Sequence, residues 1–260
     1  VNIITLTTDF GTRDWFVGTM KGVILRLNPR ATIVDLTHEI SPGDIRGAAF
    51  ALMASAGFFP KGTVHLAVVD PGVGGARQAI AVQTADYFFV GPDNGVLSFA
   101  LARERIKSVR RLENGKFFLQ PVSRTFHGRD IFAPVAAHLS RGVSFQKLGP
   151  IQKDFVRLPW PESKRTRNGI EGEIGYLDRF GNAITNIPNP DLELRDNREV
   201  RAGRKRLGPV RAFYQAVPVG HAVVVPGSSG FLEIAVNGGS AAKRFGLEIG
   251  DRVSVGRPPR

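Results

Sequence analysis

No cysteine occurs among the 260 residues. Disulfides, thiolate metal ligands and cysteine nucleophiles are therefore excluded together, and a cytoplasmic setting is expected. Long apolar runs are missing as well. Of the two uncharged stretches, 47–60 falls short of the roughly 18 residues a membrane helix takes. The other, 212–232, is interrupted by Gln215, Pro218, His221, Pro226, Ser228 and Ser229. No basic-then-apolar leader is visible, because Asp9 closes the first apolar segment. The chain has no internal repeat, no His-Glu-x-x-His pair and no Gly-x-Ser-x-Gly elbow, which leaves zincin-type metal chemistry and the common serine hydrolase without support. Acidic residues are in the minority, 23 against 35 Lys and Arg, for a formal net charge of +12. Such a balance suits an anionic partner. Yet the densest basic run, 195–211, contains Asp196 and Glu199 and lies beside Pro190 and Gly203 in loop-like sequence. No nucleic-acid-binding motif accompanies it. A solvated basic face is the reading, with neither nucleic acid nor membrane as partner.

What is present divides near residue 165. The first part alternates apolar strands with amphipathic helices. Strands are expected at 2–8, 31–36, 64–69, 79–83, 87–90 and 109–112, and helical spacing runs through Phe16, Met20, Val23, Ile24 and Leu27. Ser41-Pro42-Gly43-Asp44 reads as the start of a second helix reaching Phe58, with Ser41 as its cap. A further helix follows Arg129-Asp130. The pattern predicts an α/β domain with a mostly parallel sheet over 1–160. From Leu158 to Gly169 the chain is polar and holds Pro159 and Pro161, as linkers do. Beyond it come short strands at 170–177, 183–187, 222–225, 231–236 and 252–255, with one helical stretch at 240–245. That predicts an all-β, barrel-like or sandwich domain over 169–260.

In parallel sheets ligands bind where strands end, so polar residues at those ends come first. Asp9, Asp70, the segment Gly91-Pro92-Asp93-Asn94-Gly95 and the segment Thr125 to Asp130 all qualify. Each also has a plainer reading. Asp9 and Asp93 suit turns that bond their own backbone, Asp130 suits a helix terminus, and a lone His127 suits a satisfied interior position. The glycines of Asp70-Pro71-Gly72-Val73-Gly74-Gly75-Ala76-Arg77 lack the Lys-Ser/Thr pair of a phosphate loop. They allow instead a tight turn that brings Asp70 and Arg77 together. His38 and Asp35, like His127 and Asp130, are too few for a metal site. In the second half, Asp178 to Asn182 and Pro226 to Phe231 pass as turns, or else line a polar, aromatic-walled pocket with Glu233 and Asn237.

Taken in order, these segments resemble the S-adenosylmethionine hydroxide adenosyltransferases, relatives of the S-adenosylmethionine-dependent chlorinases and fluorinases. The likeness rests on Thr8-Asp9-Phe10-Gly11, Met20-Lys21-Gly22, Asp35-Leu36-Thr37-His38 and Val69-Asp70-Pro71-Gly72-Val73-Gly74. It continues through Gly91 to Gly95, Thr125 to Asp130, Phe180-Gly181-Asn182 with Thr185-Asn186, and Ser228-Ser229-Gly230 through Asn237. The resemblance implies hydrolysis of S-adenosylmethionine to adenosine and L-methionine without metal or cofactor, by homotrimers whose sites lie at subunit interfaces. It assigns Asp70, Arg77 and His127 to water and Asp9 to the ribose hydroxyls. Asn182 and the backbone near Asn237 fall to adenine, and Asp178 and Ser228 to the methionine end. Phe10, Asn94, Phe126, Gly128, Phe180 and Glu233 complete the implied binding set. Departures exist too. Asp70 stands where halogen-transferring members usually have a non-acidic residue, Ser229 where fluorinase-like members have arginine, and Glu233 where a smaller polar residue is usual. A halide adenosyltransferase and a non-catalytic sensor of S-adenosylmethionine or adenosine are the alternatives.

Overall fold

The computed structural model describes residues 2–189 and 198–256. The chain divides into two compact units, Val1–Pro159 and Trp160–Arg260.

The first unit strings together β1 (Ile3–Thr8), α1 (Phe16–Leu27), β2 (Thr32–Thr37), α2 (Ile45–Ser55), β3 (Val64–Val68), β4 (Ala79–Thr84), β5 (Phe88–Pro92), α3 (Ser98–Leu101), β6 (Ile106–Arg111) and α4 (Ala133–Ser140). Its sheet has the order β2-β1-β3-β5-β4-β6. The first four strands run parallel, and β4 is antiparallel to both neighbours. A parallel sheet covered on both faces needs strands apolar on both sides, and all five residues of β3 are buried. Side chains alternate across it. Leu66 joins Ile4, Leu6, α1 and α4 in one core, while Ala67 joins Phe89, α2 and α3 in another. Because β1, β2, β3 and β5 are parallel, Asp9, His38, Asp70 and Asp93 all follow strands that end at one edge.

Two local expectations fail here. Ser41 does not cap α2. Asp44 does, accepting the Gly47 N–H at 2.8 Å, because Gly43 adopts φ 76° and turns the chain after Pro42. The strand expected at 109–112 begins earlier, at Ile106.

In the second unit β7 (Lys164–Thr166), β8 (Gly169–Leu177), β9 (Ala183–Pro188), β10 (Glu199–Ala202), β11 (Lys205–Pro209), β12 (Ala222–Pro226), β13 (Phe231–Val236) and β14 (Arg252–Gly256) accompany α5 (Ala241–Phe245). They pair antiparallel in the order β11-β10-β14-β8-β9-β13-β12, with β7 added on β8. A bridge between Val210 and Val224 brings the two ends of this order together, so the sheet nearly closes into a barrel. Its interior is the apolar alternation of β8 and β14, with Ile170, Ile174, Val253 and Val255 buried. Within the segment expected as a linker, Lys164–Thr166 forms a strand. The basic run expected as loop supplies β10 and β11, where buried Glu199 is gripped by Arg206 from the neighbouring strand. Pro190, Arg195 and Asp196 lie outside the described residues. No helix among the described residues is long and apolar enough to cross a membrane.

Candidate active site

The turn leaving β3 is tight because Val73 N–H bonds back to Asp70 and Gly75 N–H to Gly72, with Gly74 at φ 75°. It folds Arg77 onto Asp70. Arg77 Nε lies 3.0 Å from both carboxylate oxygens, and Nη2 adds a closer bond to Oδ2. The same Nη2 reaches His127 Nδ1 at 2.7 Å. A guanidinium only donates, so Nδ1 is the acceptor and a neutral ring carries its hydrogen on Nε2. Arg77 also lies 5.4 Å from the Phe132 ring centre. Asp70 and Arg77 are nearly enclosed, with side chains 5% and 11% exposed. Burial holds the His127 pKa below its ordinary value and the Arg77 charge adds to this. Asp70, Asp130 and a hydrogen bond with the Ser123 backbone oppose it.

His127 opens a π-helical turn, Gly128–Phe132, that runs into α4. Asp130, 1% exposed, shapes the approach to it by accepting Ser123 N–H at 2.8 Å and both Arg129 donors. Its place is loop construction, near the helix terminus. Phe126 is buried edge-on against Phe10 and Phe16. Gly128 lies where a Cβ would press on Met20 and Phe126.

Asp9 and Asp93 do not bond their own turns. Asp9 Oδ2 accepts Gly43 N–H at 2.8 Å, and Asp93 Oδ1 accepts Val156 N–H at 2.7 Å. Burial raises the Asp93 pKa. Asn94 ties two strand ends together, donating its amide to Val69 O just after β3 and accepting Val96 N–H in its own loop.

In the second unit Asp178 closes the β8–β9 turn by accepting both the backbone and the side-chain N–H of Asn182, at 2.8 and 3.1 Å. Phe180 at its tip is 76% exposed. Ser228 is exposed on the β12–β13 turn. Asn237 donates to Val217 O. Glu233 is buried on β13 and accepts the Tyr214 hydroxyl at 2.6 Å. Burial raises the pKa of both, and the Asp178 charge pushes each the same way. The sequence reading missed Tyr214, which sits in a short 3-10 turn with no periodicity to flag it. Among the described residues no group of three or more His, Asp or Glu side chains could hold a metal ion.

An α/β unit with a carboxylate, a guanidinium and an imidazole joined at its sheet edge, followed by an antiparallel barrel-like unit, defines a narrow class. Residues 4–149 match the SAM hydroxide adenosyltransferase N-terminal domain and residues 172–254 the C-terminal domain. The chain belongs to the SAM hydroxide adenosyltransferase family. It is 41% identical to the (R)-S-adenosyl-L-methionine hydrolase of Salinispora tropica over 97% of both chains. With the (R)-S-adenosyl-L-methionine hydrolase of Thermus thermophilus it shares 41% identity over 94% of this chain and 95% of that one. A fluorinase from Actinoplanes is 27% identical over 97% of each. The crystal structure of a conserved protein from Thermotoga maritima superposes with a TM-score of 0.93 at 40% identity, covering 98% of this chain and all of that one.

Proposed function

We propose that the protein hydrolyses S-adenosyl-L-methionine to adenosine and L-methionine by in-line attack of water at ribose C5′. The observation that carries this reading is the single guanidinium of Arg77 holding Asp70 and His127 at once. As the C5′–O bond forms, the C5′–S bond breaks and its electron pair stays on sulfur, so the sulfonium leaves as a neutral thioether. No acid is needed for that departure. The difficulty is the nucleophile, since bulk water has a pKa of about 15.7. Arg77, steadied by His127, stabilises the developing hydroxide, and Asp70 supplies the basic side of the site. The proton passes to the Asp70 carboxylate and then to solvent. Holding the oxygen in line supplies the rest.

In this reading the first unit prepares water, and Asp9, beside Phe10, Asn94, Phe126 and Gly128, serves the ribose. The second unit recognises adenine and the methionine end through Asp178, Phe180, Asn182, Ser228, Glu233 and Asn237. No metal or cofactor takes part. A homotrimer is the proposed assembly, with a cytoplasmic location for which the lack of cysteine speaks. Light scattering of the purified protein checks the assembly.

A carboxylate at position 70 repels halide, which favours hydrolysis over halide transfer. Incubation with S-adenosylmethionine and chloride in oxygen-labelled water tests the reading. Adenosine carrying the label in its ribose hydroxyl supports it. A halogenated nucleoside, or tight binding with no turnover, overturns it.

A further inference from the structure

The motif Asp35-Leu36-Thr37-His38 ends β2 at the same sheet edge, and the chemistry above does not use it. His38 is only 4% exposed, yet both its ring nitrogens face polar atoms. Nδ1 lies 2.8 Å from Thr8 Oγ1, the last residue of β1. Nε2 lies 3.0 Å from Asp35 Oδ1, at contact distance though not aligned as a hydrogen bond. Asp35 Oδ2 in turn receives Lys21 Nζ from α1 at 2.5 Å. Between burial, which opposes it, and the Lys21 and His38 contacts, which outweigh it, the Asp35 carboxyl is held below its ordinary pKa.

The inner end of this chain meets the Asp9 turn. Thr8 Oγ1 accepts Phe10 N–H at 3.3 Å, and the His38 carbonyl accepts Gly11 N–H at 2.8 Å. A few residues on, Gly43 N–H holds Asp9 Oδ2 itself. The residues before and after Asp9 are thus tied to His38, and the carboxylate to the segment that follows it. A hydroxyl, an imidazole and a carboxylate in a row also resemble a nucleophilic triad. Thr8 is fully buried, however, and its oxygen already serves Phe10 and His38. Its hydroxyl has no path to a substrate.

We propose that Lys21, Asp35, His38 and Thr8 form a positioning chain that fixes the Asp9 carboxylate for the two ribose hydroxyls, with His38 as the positioning residue. The proposal rests on the reading that Asp9 binds the ribose. A carboxylate accepting two hydroxyls must be aimed, and a turn tied only through its own backbone would let it swing. Buried side-chain bonds to a neighbouring strand remove that freedom before the ligand arrives.

Calorimetry with adenosine and with a dideoxyadenosine lacking both ribose hydroxyls tests this, alongside melting temperature and steady-state kinetics. In His38→Ala the preference for adenosine should fall by about tenfold or more, through weaker adenosine binding alone. KM should rise more than kcat falls. His38→Asn, which can still reach Thr8, should recover part of the preference. Asp35→Asn lies at the half-exposed end, where the fold tolerates change, and should lose part of it even where His38→Ala is unstable. Asp9→Asn should abolish it. If Asp9→Asn loses the preference while the His38 and Asp35 variants keep it, the positioning chain is wrong. Equal weakening of both ligands with a lower melting temperature also overturns it, as a purely structural role. If Asp9→Asn keeps the preference, the ribose reading itself has failed.

Discussion

Arg77 Nη2 lies 2.7 Å from His127 Nδ1 while the same guanidinium forks onto Asp70, joining groups 50 residues apart in sequence. Only a planar fork makes these contacts together, because an ammonium offers one point of charge. Arg77→Lys should therefore lower kcat by about 100-fold or more while adenosine binding stays near that of the parent. Isothermal calorimetry beside steady-state kinetics measures both.

The pH profile follows from His127. Burial and the Arg77 charge hold its pKa below the ordinary 6.5, so the ring stays neutral down to more acid conditions than a free histidine. If the neutral ring is the working form, kcat is level through neutrality and falls only below pH 6.5. A half-maximal point above that value in a kcat profile would contradict the assignment.

His65 makes a separate prediction about stability. It is fully buried in β3 between Tyr87 and Phe89, bonded to Thr5 at 2.8 Å through Nδ1, with Nε2 unpartnered. Burial lowers its pKa from 6.5 to about 4. The unfolded chain then binds the extra proton first as pH falls. The stability from a neutral His65 is complete above pH 6.5 and is lost progressively as pH drops through about 4, amounting to something on the order of 3 kcal/mol. Urea denaturation at neutral and mildly acid pH should show that loss in the parent and a smaller one in His65→Phe.

Gly74 couples the two loops of the site. Its φ is 75°, and a Cβ there would run into the carbonyl oxygen of Arg124, three residues before His127. Gly74→Ala should cost about 2 kcal/mol in stability and lower kcat several-fold by pushing His127 away from Arg77. Unchanged kcat in a folded variant would show that the loops move independently.

Much of this was legible in the sequence. The alternation of buried strands and helices follows from apolar periodicity. The approach of Arg77 to Asp70 follows from the glycines between them, since both residues belong to one turn. Contacts made across the fold were not legible from spacing. His127 meets Arg77 through tertiary packing, and only the resemblance joined them beforehand. Asp44 displaced Ser41 as cap because a left-handed glycine intervenes, which the cap residues themselves do not reveal. β10 and β11 were hidden by their basic side chains. Their apolar residues, Val200, Ala202 and Leu207, are few enough to read as loop, yet they suffice to pair in a nearly closed barrel.

His127, held by Arg77, belongs to the machinery that prepares water and not to the grip on substrate. The most direct test of that role is the single-turnover rate of adenosine formation from bound S-adenosylmethionine in His127→Ala. Binding should be kept while the rate falls by about 100-fold or more. A rate equal to that of the parent would contradict it.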